Sequence, residues 1–146
     1  MSTFQFPLQR VLSWRETQLS IEEADLDRLR FELRTVETAL EDLVSREAIE
    51  NEVIQAARSL SGAELAGLAH AREWMVSEKK RIQSRIADCL RGIELRTVAV
   101  TEARRKVRLM ERLKERRRVS WTQEANRGLE ELASDSAIAA WRREHA

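Results

Sequence analysis

The chain has 146 residues and a formal net charge of +1, with charged residues at 35%, aromatic residues at 5%, four glycines, one proline and no tyrosine. So few aromatic residues and turn formers exclude a protein built from β-sheets. The periodic aliphatic residues exclude a disordered chain, and the length fits one domain made of long helices.

The first predicted element is a helix over about residues 7–59. Pro7 suits a first helical turn, because the amide that it lacks would have no partner there. Apolar residues then recur with the alternating three- and four-residue spacing of a left-handed coiled coil. They are Leu12, Leu19, Leu26, Leu33 and Leu40 in one row, and Leu29, Val36 and Leu43 in the other.

Beyond Leu43 the apolar residues change phase to Ile49, Val53, Ala56 and Leu60. Such a change predicts a stutter, where the coiled coil unwinds locally near the end of the first helix.

A turn is predicted at about residues 60–62. Ser61 and Glu64 have the spacing of a capping box, which marks the start of a helix. The second helix is predicted over about residues 63–133, with apolar rows that include Met75, Ile82, Cys89 and Met110, and Ile86, Ile93, Val100 and Val107. We expect Gly128 or the run 134–136 to end it and the tail 134–146 to be loose.

The two patterns together predict an all-α fold, a long antiparallel two-helix coiled-coil hairpin in a single domain 1–146. Folding about the turn places Leu12 opposite Leu109 and Leu26 opposite Leu95. Because the second helix is longer, it is expected to overhang the first from about Leu113 onward, without a partner within the chain.

The positive charge is concentrated in one short segment. Residues 104–118 contain nine Lys or Arg against two acidic residues, whereas residues 1–60 contain seven against twelve. Acidic residues of the first helix can neutralise the start of this segment but not its end, which indicates an anionic partner. An acidic protein surface fits better than nucleic acid, because no aromatic residues alternate with the arginines to stack on bases.

Nothing in the sequence points to catalysis, to a cofactor or to a metal. His70 and His145 have no carboxylate or thiol at ligand spacing, and Cys89 occupies a core row, where a thiol behaves as a small apolar group. Trp74, near the turn, and Trp121, on the overhang, are candidate partner contacts.

No apolar run reaches the roughly 18 residues that a membrane span requires. The first ten residues lack the apolar core of a secretory signal, and a single cysteine fits a reducing compartment. We expect a cytoplasmic protein that reaches a membrane only through its partners.

Three stretches carry a resemblance that covers nearly the whole chain. They are Phe4-x-Phe6-Pro7-Leu8-Gln9-x-Val11-Leu12-x-x-Arg15, then Val107-Arg108-x-Met110-Glu111-Arg112-Leu113-Lys114-Glu115-Arg116-Arg117, and Leu129-Glu130-Glu131-Leu132-Ala133. With the central turn, they resemble the FliJ family of flagellar export proteins.

The resemblance implies a non-enzymatic, stalk-like coiled coil of the flagellar type III protein export apparatus, at the cytoplasmic face of the inner membrane. Its partners would be the export ATPase FliI, whose ring it enters and promotes, the export-gate protein FlhA and export chaperones. The implied ATPase contact comprises Phe4, Phe6, Arg112, Lys114, Arg116, Arg117, Arg118 and Trp121. The implied gate contact comprises Trp74, Met75 and Glu78.

Three alternatives remain open from the residues alone. The chain could be the equivalent stalk of a virulence-type secretion system, which resembles the flagellar one closely. It could be a nucleic-acid-binding coiled-coil arm, although the acidic first helix would repel a polyanion. It could also be a structural spacer that self-associates through its overhang.

Overall fold

A computed structural model describes residues 2–146, and it consists of two long helices packed against each other as a hairpin. Helix α1 is Gln9–Ala56 and helix α2 is Gly62–Glu144. The predicted all-α hairpin is therefore confirmed. The contacts fall into two compact units, one of Ile21–Thr101 and one that joins the chain up to Ser20 with Glu102–Ala146. The prediction of one domain stays a prediction.

The connection between the helices ends in the predicted capping box. The Ser61 amide donates to Glu64 Oε2 and the Glu64 amide donates to Ser61 Oγ, each at 3.1 Å. These reciprocal bonds use two backbone donors that the first turn of α2 would otherwise leave without an acceptor. The start of α2 at Gly62 follows from them.

In the unit 21–101, the core is a line of side chains that both helices contribute at their facing coiled-coil positions, called the core row below. Its buried members are Leu26, Val36, Leu43, Met75, Ile82, Cys89 and Val100. All of them occupy the predicted coiled-coil positions. Gly92 lies in the same region, where an added Cβ would come within 3.3 Å of Leu29 Cδ1, so glycine leaves room for the leucine.

The predicted stutter after Leu43 is wrong. The seven-residue spacing continues to Glu47 and Ile54, which are half-buried, while Ile49 and Val53 are 61% and 65% exposed. Glu47 forms an ion pair with Lys79 of α2, and one turn later Asn51 accepts a hydrogen bond from Arg72 at 3.2 Å. Because these polar side chains are paired across the helices, the seven-residue spacing continues through Glu47 and Asn51 to Ile54.

The predicted end of the second helix near residue 133 is also wrong, since α2 continues to Glu144. Gly128 costs about 1 kcal/mol relative to alanine inside a helix, and helix formers surround it on both sides. Three of the four residues in the run 137–140 are alanines, and alanine has the highest intrinsic helix propensity of any residue type. The helix therefore continues past the two serines and Asp135.

The burial of Ile49 distinguishes a continued seven-residue spacing from a stutter, because a stutter would place Ile49 in the core. Leu43→Ala should lower the free energy of unfolding by about 2–4 kcal/mol, because it leaves a cavity in the buried row. Ile49→Ala should change it by less than about 0.5 kcal/mol, as exposed positions do. Urea unfolding followed by circular dichroism measures both, and an equal loss in the two variants would contradict the observed register.

Candidate functional site

The basic segment 104–118 lies on α2 in the unit that also contains the start of the chain. Of the predicted ATPase-contact residues, Arg112, Arg116, Arg117 and Arg118 are exposed, and Lys114 is half-buried. The Lys114 ammonium donates to Gln9 Oε1 at 2.8 Å, which ties α2 to the first turn of α1.

The segment before α1 packs against α2 through Phe4, Phe6 and Leu8. Phe6 is 7% exposed and clusters with Leu12 and Val107, and the partly buried residues around this cluster include Met110 and Leu113. Phe4 packs against Trp121, with ring centroids 6.1 Å apart and planes tilted by 52°. The expectation that α2 has no partner from Leu113 onward is therefore wrong for Leu113, Lys114 and Trp121. The segment before α1 reaches Leu113 and Trp121, and Gln9 in the first turn of α1 reaches Lys114.

Past Trp121, helix α2 has no such cover. Every residue of 122–146 is exposed except Gly128, which is intermediate. The overhang is thus real, but it begins about two turns later than the sequence predicts.

Within the basic segment, Glu115 forms an ion pair with Arg118. Arg118 donates through Nε and Nη2 to Glu115 at 3.0 and 2.8 Å. This hydrogen bonding lowers the pKa of Glu115 below its ordinary 4.5. The contact therefore stabilises the folded chain above that value, and the contribution is lost as the pH falls through the lowered pKa.

Four arginines of this segment share one face of α2, which the sequence analysis missed although their spacing reveals it. Arg105, Arg108, Arg112 and Arg116 follow each other at three, four and four residues, and all are exposed. Residues three or four apart on a helix are neighbours, so the guanidinium groups form one row. Leu109, 52% exposed, and Val119, 42% exposed, lie in the same row.

The predicted gate-contact residues lie in the other unit and differ in exposure. Trp74 is 52% exposed, Met75 is buried in the core row, and Glu78 is half-buried. Arg81 donates to Glu78, with its Nε at 3.1 Å from Oε2, and this hydrogen bond lowers the pKa of Glu78. Only Trp74 of the three presents a large open surface.

A shallow groove runs beside Trp74 between α1 and α2. Its apolar lining includes Leu43, Ile49, Trp74 and Ile82, and its polar lining includes Asp42, Arg46 and Glu78. The outward position of Ile49, which follows from the continued heptad spacing, supplies part of this lining.

Two kinds of structural feature are absent from residues 2–146. No group of three or more His, Cys, Asp or Glu side chains is arranged to hold a metal ion. No helix in this part of the chain combines the length and the hydropathy that crossing a membrane requires.

In comparisons with protein-family models, with curated proteins and with solved structures, the chain has no significant match to any of them.

The buried position of Phe6 leads to a stability prediction. Phe6→Ala should lower the free energy of unfolding by about 3–5 kcal/mol, the usual cost of a large cavity. Phe31→Ala is the matched control, because Phe31 is 66% exposed, and it should change stability by less than about 0.5 kcal/mol. If chemical denaturation shows the two variants to be alike, the start of the chain does not pack as described.

Cys89 should be a poorly reactive thiol. It is 4% exposed, and burial raises its pKa, so less thiolate is present at any given pH. Alkylation by iodoacetamide at a pH near that of a free thiol, about 8.5, should be at least about tenfold slower in the folded chain than in urea. Equal rates, followed by mass spectrometry, would show that the core row opens freely.

Proposed function

We propose that the protein is a non-enzymatic stalk component of the flagellar type III protein export apparatus. It enters and promotes the ring of the export ATPase and connects that ring to the export gate and to export chaperones, at the cytoplasmic face of the inner membrane. The resemblance to the FliJ family is the basis of this proposal, and the contacts between the start of the chain and residues 114–121 of α2 support it.

The observation that carries the proposal is how the first residues pack beside the basic segment. Phe4 on Trp121 and Gln9 on Lys114 hold the start of the chain against α2. A ring would meet both elements together, with Arg112, Arg116 and Arg117 exposed for contact. Within residues 2–146 no ion pair neutralises these three side chains.

The pattern of exposed residues favours a protein partner over nucleic acid. Bases need aromatic side chains to stack on, and the segment 104–118 contains none. The aromatic residue nearest to it, Trp121, has its ring against Phe4. Trp74, which is exposed in the other unit, remains the residue through which the export gate would be met under this proposal.

The proposal predicts that Arg116→Glu with Arg117→Glu strongly weakens stimulation of a FliI-type ATPase. Reversing two exposed charges replaces attraction by repulsion at an acidic surface, and coupling losses of about 2–4 kcal/mol correspond to a drop of about thirtyfold or more in the stimulating potency. Steady-state ATP hydrolysis, titrated with each variant, measures it.

Arg142→Glu with Arg143→Glu is the matched control, since it makes the same charge change on the exposed end of α2 and should keep stimulation. Running the titration also with a virulence-type export ATPase separates the two kinds of secretion system. If the wild-type chain stimulates neither ATPase, the proposed function is wrong.

A further inference from the structure

The row formed by Arg105, Arg108, Leu109, Arg112, Arg116 and Val119 is an exposed surface of α2. Residues two apart on a helix point about 200° apart, so this row lies on the side of α2 opposite to Met110 and the cluster around Phe6. It covers 15 residues, with about 21 Å and four helical turns between Arg105 and Val119.

The charge of this row is self-repelling. Like charges three or four residues apart destabilise a helix by about 0.2–0.5 kcal/mol per pair. Glu115, the acid at ion-pair spacing from Arg112, is held by Arg118 instead, and Arg105 has only a distant contact of 3.8 Å with Glu102. The row therefore carries four aligned positive charges, and within residues 2–146 no acidic side chain in the row neutralises them.

The aliphatic side chains decide what kind of anion fits. Leu109 is four residues from Arg105 and three from Arg112, so its exposed side chain lies among the guanidinium groups. A phosphate backbone offers nothing apolar to bury against it. A membrane-surface helix needs a wide apolar face with aromatic residues, and residues 105–119 contain none. An acidic helix with its own apolar row offers both kinds of contact.

We propose that this face of α2 is a docking surface for an acidic amphipathic helix of a partner protein. Acidic side chains at three- and four-residue spacing would meet the arginines, and an aliphatic row would cover Leu109 and Val119. The inference deepens the proposed function, since Arg112 and Arg116 belong to the suggested ATPase contact, and it rests on that function in taking the occupant to be a protein.

The test uses the full chain and fluorescein-labelled helical peptides of about 20 residues, long enough to span the row. One peptide has glutamates flanking a leucine row, and its matched control has glutamine for every glutamate. A thymidine oligonucleotide of similar length and phosphatidylglycerol vesicles complete the set. At about 0.15 M ionic strength, the acidic peptide should bind at least about tenfold more tightly than the glutamine peptide, in fluorescence anisotropy.

Two variants locate the peptide on the row. Arg105→Glu with Arg108→Glu lies outside the suggested ATPase contact and should weaken peptide binding at least about tenfold, whereas Arg142→Glu with Arg143→Glu should not. Leu109→Ser should weaken it about three- to tenfold by removing the apolar contact. If Arg105→Glu with Arg108→Glu lowers helix content, the glutamine versions of both substitutions take its place.

The outcomes are distinct from those of the ATPase test. If the peptides bind equally, if Leu109→Ser has no effect, or if the oligonucleotide or the vesicles bind more tightly than the acidic peptide, the inference is overturned even when ATPase stimulation is normal. If Arg105→Glu with Arg108→Glu loses the peptide and keeps ATPase stimulation, the docking surface stands and serves a partner other than the ring. If it loses both, the docking surface also stands and the ring itself supplies the helix.

Discussion

The fold depends on one row of side chains at alternating three- and four-residue spacing, because two helices alone bury only the edge that each turns to the other. All buried residues except Phe6 occupy this spacing. Every other face of both helices is exposed by necessity, including many large apolar residues. Exposure alone is therefore a weak sign of a binding surface here, and a pattern of charge and apolar residues together carries more weight.

Polar residues within the row and beside it determine how the helices align. Arg96 of α2 reaches Glu22 at 2.9 Å and Asp25 at 3.8 Å on α1, and Arg85 reaches Glu32 at 2.7 Å. Such half-exposed pairs contribute little net free energy, typically 0–1 kcal/mol each. Sliding one helix by a turn would separate every pair at once, so they favour one register over its neighbours.

The sequence predicts the hairpin well because the heptad spacing and the capping box are local patterns. It fails at three places, and at two of them contacts between residues distant in the chain outweigh the local pattern. Ile49 and Val53 suggest a change of phase, but Lys79 and Arg72 hold Glu47 and Asn51 inward. The placement of Phe4 against Trp121 joins residues that no spacing rule relates. Gly128 marks a weak point in a helix, and its neighbours decide that the helix continues.

The same reasons limit what the sequence reveals of the candidate site. The basic segment is obvious from composition, and the row of four arginines follows from their spacing once α2 is known to continue through it. That Glu115 turns to Arg118, and that Lys114 is engaged by Gln9, depends on side-chain geometry that the sequence does not contain.

The exposed end of α2 beyond Trp121 has a consequence for how it would meet a partner. A separate peptide of this length must form its first helical turn unaided, which is the slow and unfavourable step of helix formation. Residues 122–144 instead extend a helix whose earlier turns are already held by the hairpin. Helical structure can therefore propagate from Trp121 one residue at a time. A partner that binds residues 122–144 would not have to offset the free energy of helix nucleation.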